Sequence, residues 1–105
     1  MRPDSSYTIV LHETFQKTLK KNLPTNLKNT FNRKIEYLAA NPQHPSLNTK
    51  SYLVSRAKLK ELGVDEVWEF YINMSFRCVF YLIHGEKLMI LAYVGDHDKV
   101  KKKYN

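Results

Sequence analysis

Arg77 is the first side chain of this sequence that could act on a charged ligand. It lies in an otherwise apolar stretch, residues 76–83, where a guanidinium is costly to bury unless it is paired or hydrated. It must therefore reach an acidic side chain, an open face of a sheet or an anionic ligand. Glu69 is the obvious acidic partner, since it shares a strand face with Arg77 if the hairpin pairs residues whose numbers sum to an even value. An arginine held by a carboxylate is well placed to bind a phosphate. A structural pair and a functional pair both remain open.

His97 is the second candidate for chemistry. It follows the last predicted strand, so we expect it in an exposed loop at the end of the sheet. Histidine can give or take a proton near neutral pH. A surface histidine in a polar turn is the alternative interpretation. A metal site is disfavoured, because no second group of ligand-type residues has suitable spacing.

Aromatic residues accompany these candidates in the predicted strands. Trp68 and Phe70 share one strand face, and Tyr71, Tyr81 and Tyr93 could share the other. Aromatic rings on an open sheet face can stack nucleic-acid bases. Core packing is the more frequent use of such rings, so both interpretations are retained.

The overall charge favours a polyanionic partner. Seventeen Lys and Arg residues oppose ten Asp and Glu residues, which gives a net charge of +7 and a pI near 9.5. Such a field attracts nucleic acid, an anionic membrane or an acidic protein, although a solvated lysine-rich surface would have the same composition.

Several classes of protein are disfavoured by the composition. Cys78 is the only cysteine, so no internal disulfide can form. Neither a glycine-rich phosphate loop nor paired cysteine ligands for zinc occur. No apolar run approaches the roughly 20 residues of a membrane helix, and the first residues lack the apolar part of a secretory signal. We therefore expect a single cytoplasmic domain, residues 1–105, with no membrane association.

The elements that would position Arg77 and His97 follow from the apolar periodicity. Residues 7–11 predict a strand, and apolar residues at helical spacing predict helices around residues 15–23 and 27–38. Residues 51–62 fit either a short helix or a strand with a loop. Residues 67–72, 76–84 and 88–94 predict an antiparallel meander. We expect an α+β fold, in which an N-terminal strand and helical hairpin pack on one face of a C-terminal antiparallel sheet, with the other face partly open.

Four local motifs in this order resemble those of the RelE/ParE toxin superfamily, and within it the YafQ- and RelE-like branch. They cover the chain from about Tyr7 to Asp98 and are His44-Pro45-Ser46-Leu47, Trp68-Glu69-Phe70, Phe76-Arg77 and Val94-Gly95-Asp96-His97-Asp98. The resemblance implies the toxin of a toxin–antitoxin system that cleaves mRNA, on the ribosome, without a metal or other cofactor. It implies attack of the ribose 2′-hydroxyl on the phosphate, with Arg77 as phosphate stabiliser and His97 as general acid.

The general base is left open by this resemblance. Lys58 and Lys60 fall near the basic segment that the RelE branch uses, and Glu69 is an alternative. The candidates for binding RNA phosphates are Arg56, Lys99, Lys101 and Lys102.

Two other functions fit the same resemblance: a ParE-like toxin that binds DNA gyrase without catalysis, and an inactive domain that binds only an antitoxin. In either toxin, the expected partner is an acidic, partly disordered antitoxin that folds on binding.

Overall fold

The computed structural model describes residues 3–105 and contains four α-helices around a five-stranded mixed sheet. The elements in chain order are β1 (Thr8–Leu11), α1 (Phe15–Asn22), α2 (Lys28–Ala40), β2 (Lys50–Ser51), α3 (Arg56–Leu62), β3 (Glu66–Tyr71), β4 (Phe76–Ile83), β5 (Leu88–Asp96) and α4 (His97–Tyr104). The strands lie side by side in the order β1-β5-β4-β3-β2. The expected α+β fold is confirmed. The sheet is mixed rather than purely antiparallel, because β1 pairs with β5 in parallel.

The α1–α2 hairpin covers one face of the sheet, as predicted. Phe15 and Phe31, from the two helices, are buried against β3, β4 and β5. The two rings lie 6.3 Å apart and fill the space between the hairpin and strand residues such as Phe70 and Phe80. Burial of this apolar stripe is what fixes the hairpin on the sheet.

The opposite face is covered more fully than the sequence indicated. A second core forms there around Val67, Val79 and Tyr81, onto which Val100 and Tyr104 of α4 pack, with apolar side chains of α3 beside them. The Tyr81 and Tyr104 hydroxyls share a buried hydrogen bond of 2.8 Å. The expectation of a partly open face therefore holds only for the end of the sheet near Arg77.

The last strand and the residues after it differ from the prediction. Strand β5 runs on to Asp96, because Gly95 pairs with Arg77 and Asp96 with Phe76. His97 is then not a loop residue but the first residue of helix α4. The Asp96 carboxylate caps this helix by accepting a 2.8 Å hydrogen bond from the Lys99 N–H.

The segment that the sequence left undecided contains both of its alternatives. Lys50 and Ser51 add a two-residue strand to β3, and α3 begins after Ser55, whose hydroxyl accepts a hydrogen bond from the Lys58 N–H. The helix ends at Gly63, which adopts the left-handed backbone conformation with φ of 71°. Among the described residues, no helix combines the length and apolarity needed to cross a membrane.

A hydrogen-bonded chain ties the start of β1 to the far end of the sheet. The Tyr7 hydroxyl lies 2.6 Å from Nδ1 of His84, whose Nε2 contacts the Glu66 carboxylate, and the Trp68 indole donates to the same carboxylate at 2.8 Å. Burial raises the pKa of Glu66, but the hydrogen bonds from His84 and Trp68 outweigh it and leave that pKa below its usual value. His84 therefore has a structural position that its sequence context did not reveal.

The path of β5 depends on a local irregularity and on one glycine. Val79 pairs with Tyr93 but Phe80 pairs with Leu91, so Ala92 is an extra residue in β5, a β-bulge. Beyond the bulge, Gly95 lies under the Tyr93 ring and the start of α4. A Cβ atom at Gly95 would lie 2.9 Å from Tyr93 Cε2 and 3.2 Å from Lys99 Cβ. Any side chain here would push α4 away from the sheet.

We therefore expect Gly95→Ala to destabilise the fold by about 1–3 kcal/mol, the usual cost of overpacking. This cost outweighs the roughly 0.5–1 kcal/mol that alanine normally gains over glycine in a strand. Gly85→Ala is the matched control, since a Cβ there meets nothing within 4 Å. Urea denaturation measures both changes. Equal stability of the two variants would contradict the close approach described for Gly95.

Candidate active site

Arg77 lies at the open end of the second sheet face, paired with Tyr71 of β3 and Gly95 of β5. Its side chain extends along the face instead of into either core, and it is only 11% exposed. The Nε atom lies 3.2 Å from Oε1 of Glu69, which is two residues from Tyr71 on β3. Neither atom has an aligned hydrogen bond, so this contact is an ion pair held by charge and burial.

Glu69 is the buried carboxylate beneath this guanidinium. It is 7% exposed, and burial raises the pKa of its carboxyl above the usual value, although Arg77, Lys50 and His97 all pull it down. The expectation that Glu69 and Arg77 share one strand face is met, because Glu69 pairs with Val79. The site thus contains an anion that anchors Arg77 from below.

Tyr71 lies between the two cations of the site, Arg77 and Lys50. The Arg77 guanidinium stacks over the Tyr71 ring at 4.4 Å, and its NH2 group donates to the Tyr71 hydroxyl at 3.3 Å. Lys50 Nζ lies 4.7 Å from the centre of the same ring. A hydrogen bond from Lys50 lowers the pKa of Tyr71, against burial and with help from Arg77.

His97 meets the outer side of the Arg77 guanidinium. Its Nδ1 contacts the NH1 group of Arg77, and the imidazole itself is exposed. A guanidinium can only donate, so Nδ1 is the accepting atom in this contact. Capping by Asp96 and a 3.2 Å hydrogen bond from the His97 N–H to the Ser75 carbonyl fix the backbone on which this ring is mounted.

The structure brings Arg77, His97 and Glu69 together but not the two lysines named with them. Lys58 and Lys60 lie on α3, and Lys58 pairs with Glu61 of the same helix at 3.7 Å. Among the contacts of residues 3–105, none joins either lysine to Arg77 or His97.

The basic side chains named as RNA contacts are all on the surface. Arg56 is exposed at the start of α3, and Lys99, Lys101 and Lys102 are exposed on α4.

Most of the aromatic side chains belong to the cores. Trp68 and Phe70 are buried under the hairpin, and Tyr81 is buried beneath α4, whereas Tyr71 and Tyr93 are half-buried at the open end of the face. Cys78 is fully buried, which raises the pKa of its thiol and argues against a nucleophile. No group of three or more metal-ligating side chains lies together among the described residues.

Sequence reasoning missed Lys50 and the site role of Tyr71. Lys50 becomes part of the site only because Lys50 pairs with Glu69 across β2 and β3. A two-residue strand carries no periodic signal that could have predicted this pairing. For Tyr71 a signal exists: it shares the strand face of Glu69, two residues away.

Comparison with known proteins gives matches among solved structures. No protein-family model matches the chain, and no curated protein sequence matches it closely enough to count as a relative. The structural matches include the archaeal RelE–RelB complex from Pyrococcus horikoshii OT3, with 14% identity, 86% of this chain and 93% of that chain covered, and a TM-score of 0.61. YafQ from E. coli strain BL21(DE3) matches with 12% identity, 90% and 97% coverage and a TM-score of 0.63. A metal-bound toxin from Helicobacter pylori matches with 17% identity, 90% and 98% coverage and a TM-score of 0.58.

These matches show that this chain has a RelE-like fold. The neighbours span nearly the whole of it, so the strand, the hairpin and the sheet are all part of the shared architecture. At identities of 12–17%, the likeness concerns the fold alone.

The contacts of Tyr71 predict its titration. Since Lys50 is the main cause of the lowered pKa, Lys50→Met should make the Tyr71 phenolate form at higher pH than in the unaltered protein. Ultraviolet absorbance of the phenolate measures this, with Tyr71→Phe identifying the signal among the seven tyrosines. Lys58→Met is the control, and it should leave the titration unchanged. If Lys50→Met leaves the pH at which the Tyr71 phenolate forms unchanged, the described geometry is contradicted.

Proposed function

We propose that this chain is the toxin of a toxin–antitoxin system and acts as an endoribonuclease that cleaves mRNA, in association with the ribosome and without a metal. The observation that carries the proposal is the contact between the Arg77 guanidinium and the His97 imidazole at the open end of the sheet face. A fixed cation beside a group that transfers protons is the minimum equipment for cleaving a phosphodiester. The RelE-like fold agrees with this chemistry.

In the proposed reaction, the ribose 2′-hydroxyl attacks the adjacent phosphorus and the bond to the 5′-oxygen breaks. The products are a 2′,3′-cyclic phosphate and a 5′-hydroxyl end. Arg77 binds the non-bridging oxygens, whose charge increases as the phosphorus becomes five-coordinate. Glu69, buried below, keeps the guanidinium in place while its outer N–H groups face the substrate.

His97 is proposed to protonate the departing 5′-oxygen. In the free protein its Nδ1 contacts Arg77, so the imidazole lies beside the cation that would bind the phosphate. A bound phosphate would draw the NH1 group of Arg77 away from Nδ1. Release of this contact would let the imidazole turn toward the departing oxygen.

Tyr71 is the best-placed candidate for the base that accepts the 2′-hydroxyl proton. Its hydroxyl lies within 3.3 Å of the Arg77 guanidinium, and its pKa is lowered by Lys50 and Arg77. Glu69, although its pKa is raised, is nearly covered by Arg77, and Lys58 and Lys60 lie on a separate helix. The proposed role of Tyr71 is thus supported by position as well as by charge.

The proposed antitoxin is an acidic segment that folds on binding. The net charge of +7 favours a partner of opposite charge and would speed its association. The RelE–RelB complex among the structural neighbours is a toxin-fold protein bound to another chain, which agrees with this partner.

The activity prediction concerns His97 first, because this exposed side chain can be removed without disturbing the core. We expect His97→Ala to lower the rate of RNA cleavage by about 10²–10⁴, the usual contribution of a general acid. His12 is also exposed, and it directly follows β1, so His12→Ala should retain full activity. Primer extension on mRNA after induced expression, and cleavage of purified RNA with and without ribosomes, measure the effect.

Arg77 needs a different substitution. Arg77→Ala would leave Glu69 buried without its partner at a cost of about 3–5 kcal/mol, so loss of activity could reflect unfolding. Arg77→Lys retains the charge but not the planar fork, and should reduce cleavage by about 10²–10³ in a folded protein. Toxicity of the unaltered chain without new mRNA ends would reject the ribonuclease and favour a toxin that acts by binding alone.

A further inference from the structure

A basic groove of about 350 Å³ lies between α1 and α4. Its walls are Thr18, Lys21 and Asn22 of α1, Tyr93 of β5, and Lys99, Lys102 and Lys103 of α4. None of the residues that line it is acidic. Four ammonium groups around one space repel each other, so the space favours an anion.

The floor of this groove is held in place by hydrogen bonds between helix and strand. The Thr18 hydroxyl accepts from the Val94 N–H at 3.2 Å, and the Asn22 amide donates to the Val94 carbonyl at 2.7 Å. These bonds satisfy the backbone of β5 at Val94 and fix α1 against it. The groove is thus preformed and need not be ordered when a ligand binds.

Tyr93 supplies an aromatic surface within this ring of lysines. It is half-buried, stands edge-on to the Tyr104 ring at 6.1 Å, and has Lys103 Nζ 5.2 Å from its centre. An aromatic ring among ammonium groups suits a ligand that carries both a phosphate and a flat base. An acidic peptide would satisfy the lysines but would not need the ring, so RNA is favoured over a peptide.

Strand β5 connects the groove to the residues proposed for catalysis. Gly95 pairs with Arg77, and a Cβ at Gly95 would touch both the Tyr93 ring and Lys99. Helix α4 separates the two, because His97, which contacts Arg77, lies on the side of the helix opposite the lysines of the groove. RNA that reaches both must therefore pass around α4.

We infer that the groove between α1 and α4 binds a nucleotide of the single-stranded RNA away from the link that is cut, with its phosphate among Lys21, Lys99 and Lys102 and its base against Tyr93. This inference rests on the proposed function, since it specifies how the RNA substrate is held. It assigns Lys21 and Tyr93 to RNA binding and separates Lys99 and Lys102, which face the groove, from Lys101, which does not line it.

The test uses a short single-stranded RNA with 2′-O-methyl groups, which cannot be cleaved, and measures binding by fluorescence anisotropy at several salt concentrations. Lys99→Gln with Lys102→Gln should weaken binding at least tenfold and reduce the slope of log affinity against log salt by about 0.7, the value for one phosphate of a single strand that is no longer neutralised. The control, Lys20→Gln with Lys28→Gln on the hairpin, removes the same charge away from the groove. An equal decrease in affinity for the two double variants would overturn the inference.

Substitutions of Tyr93 distinguish recognition of a base from simple attraction of an anion. Tyr93→Leu should weaken RNA binding by about tenfold, within the range for removing the stacking of one base, while Tyr93→Phe keeps it. Circular dichroism of both variants shows that they are folded. If Tyr93→Leu binds RNA as tightly as the unaltered chain, or if the lysine pair weakens binding of poly-aspartate as much as that of RNA, nucleotide recognition is rejected. Groove-dependent binding by a chain that cuts no RNA would reject the ribonuclease and leave the groove as an RNA site.

Discussion

The arrangement of the site depends on the burial of one positive charge. Arg77 lies near the start of β4, the middle strand of the sheet, where a buried guanidinium without a partner would cost several kcal/mol, and Glu69 beside it removes most of that cost. Glu69 contacts the Nε side of the guanidinium, and the NH1 and NH2 groups are directed at His97 and Tyr71. The contact that reduces the cost of burying Arg77 therefore also orients the cation toward the open end of the face.

The end of the second face near Arg77 is its accessible part, because α3 and α4 cover the rest. Helices α3 and α4 pack over Val67, Val79 and Tyr81, and the bulge at Ala92 with Gly95 lets α4 approach β5 closely. Because α4 starts at His97, the helix that seals the core also carries the imidazole to Arg77. The packing of α4 on the core and the position of His97 therefore depend on the same helix, and a shift of α4 would affect both.

The strands, the hairpin and the shared face of Glu69 and Arg77 were predictable because each has a strong periodic signal. Helix α4 was not predicted, since five of its eight residues are charged and its apolar stripe is only Val100 and Tyr104. The cap at Asp96 and the four-residue spacing of that stripe are signals that could have found it. Lys50 could not be found, because its place at the site comes from a pairing between distant segments. Lys58 and Lys60, chosen by their position in the chain, lie on α3, where Lys58 pairs with Glu61.

The parallel pairing of β1 with β5 has a consequence for how this chain reaches its folded state. Thr8 pairs with Leu88, so the first strand finds its neighbour only after the segment that forms β5 has been synthesised. Until then the apolar stripe of the α1–α2 hairpin has no complete sheet to cover, although the hairpin itself can form early from local contacts. Gly95 and His97 reach Arg77 by a different route, the antiparallel pairing of β4 with β5, whose strands are neighbours in the chain. The constellation of the site therefore needs only the C-terminal meander, whereas the parallel pairing of β1 is needed to complete the sheet that the hairpin covers.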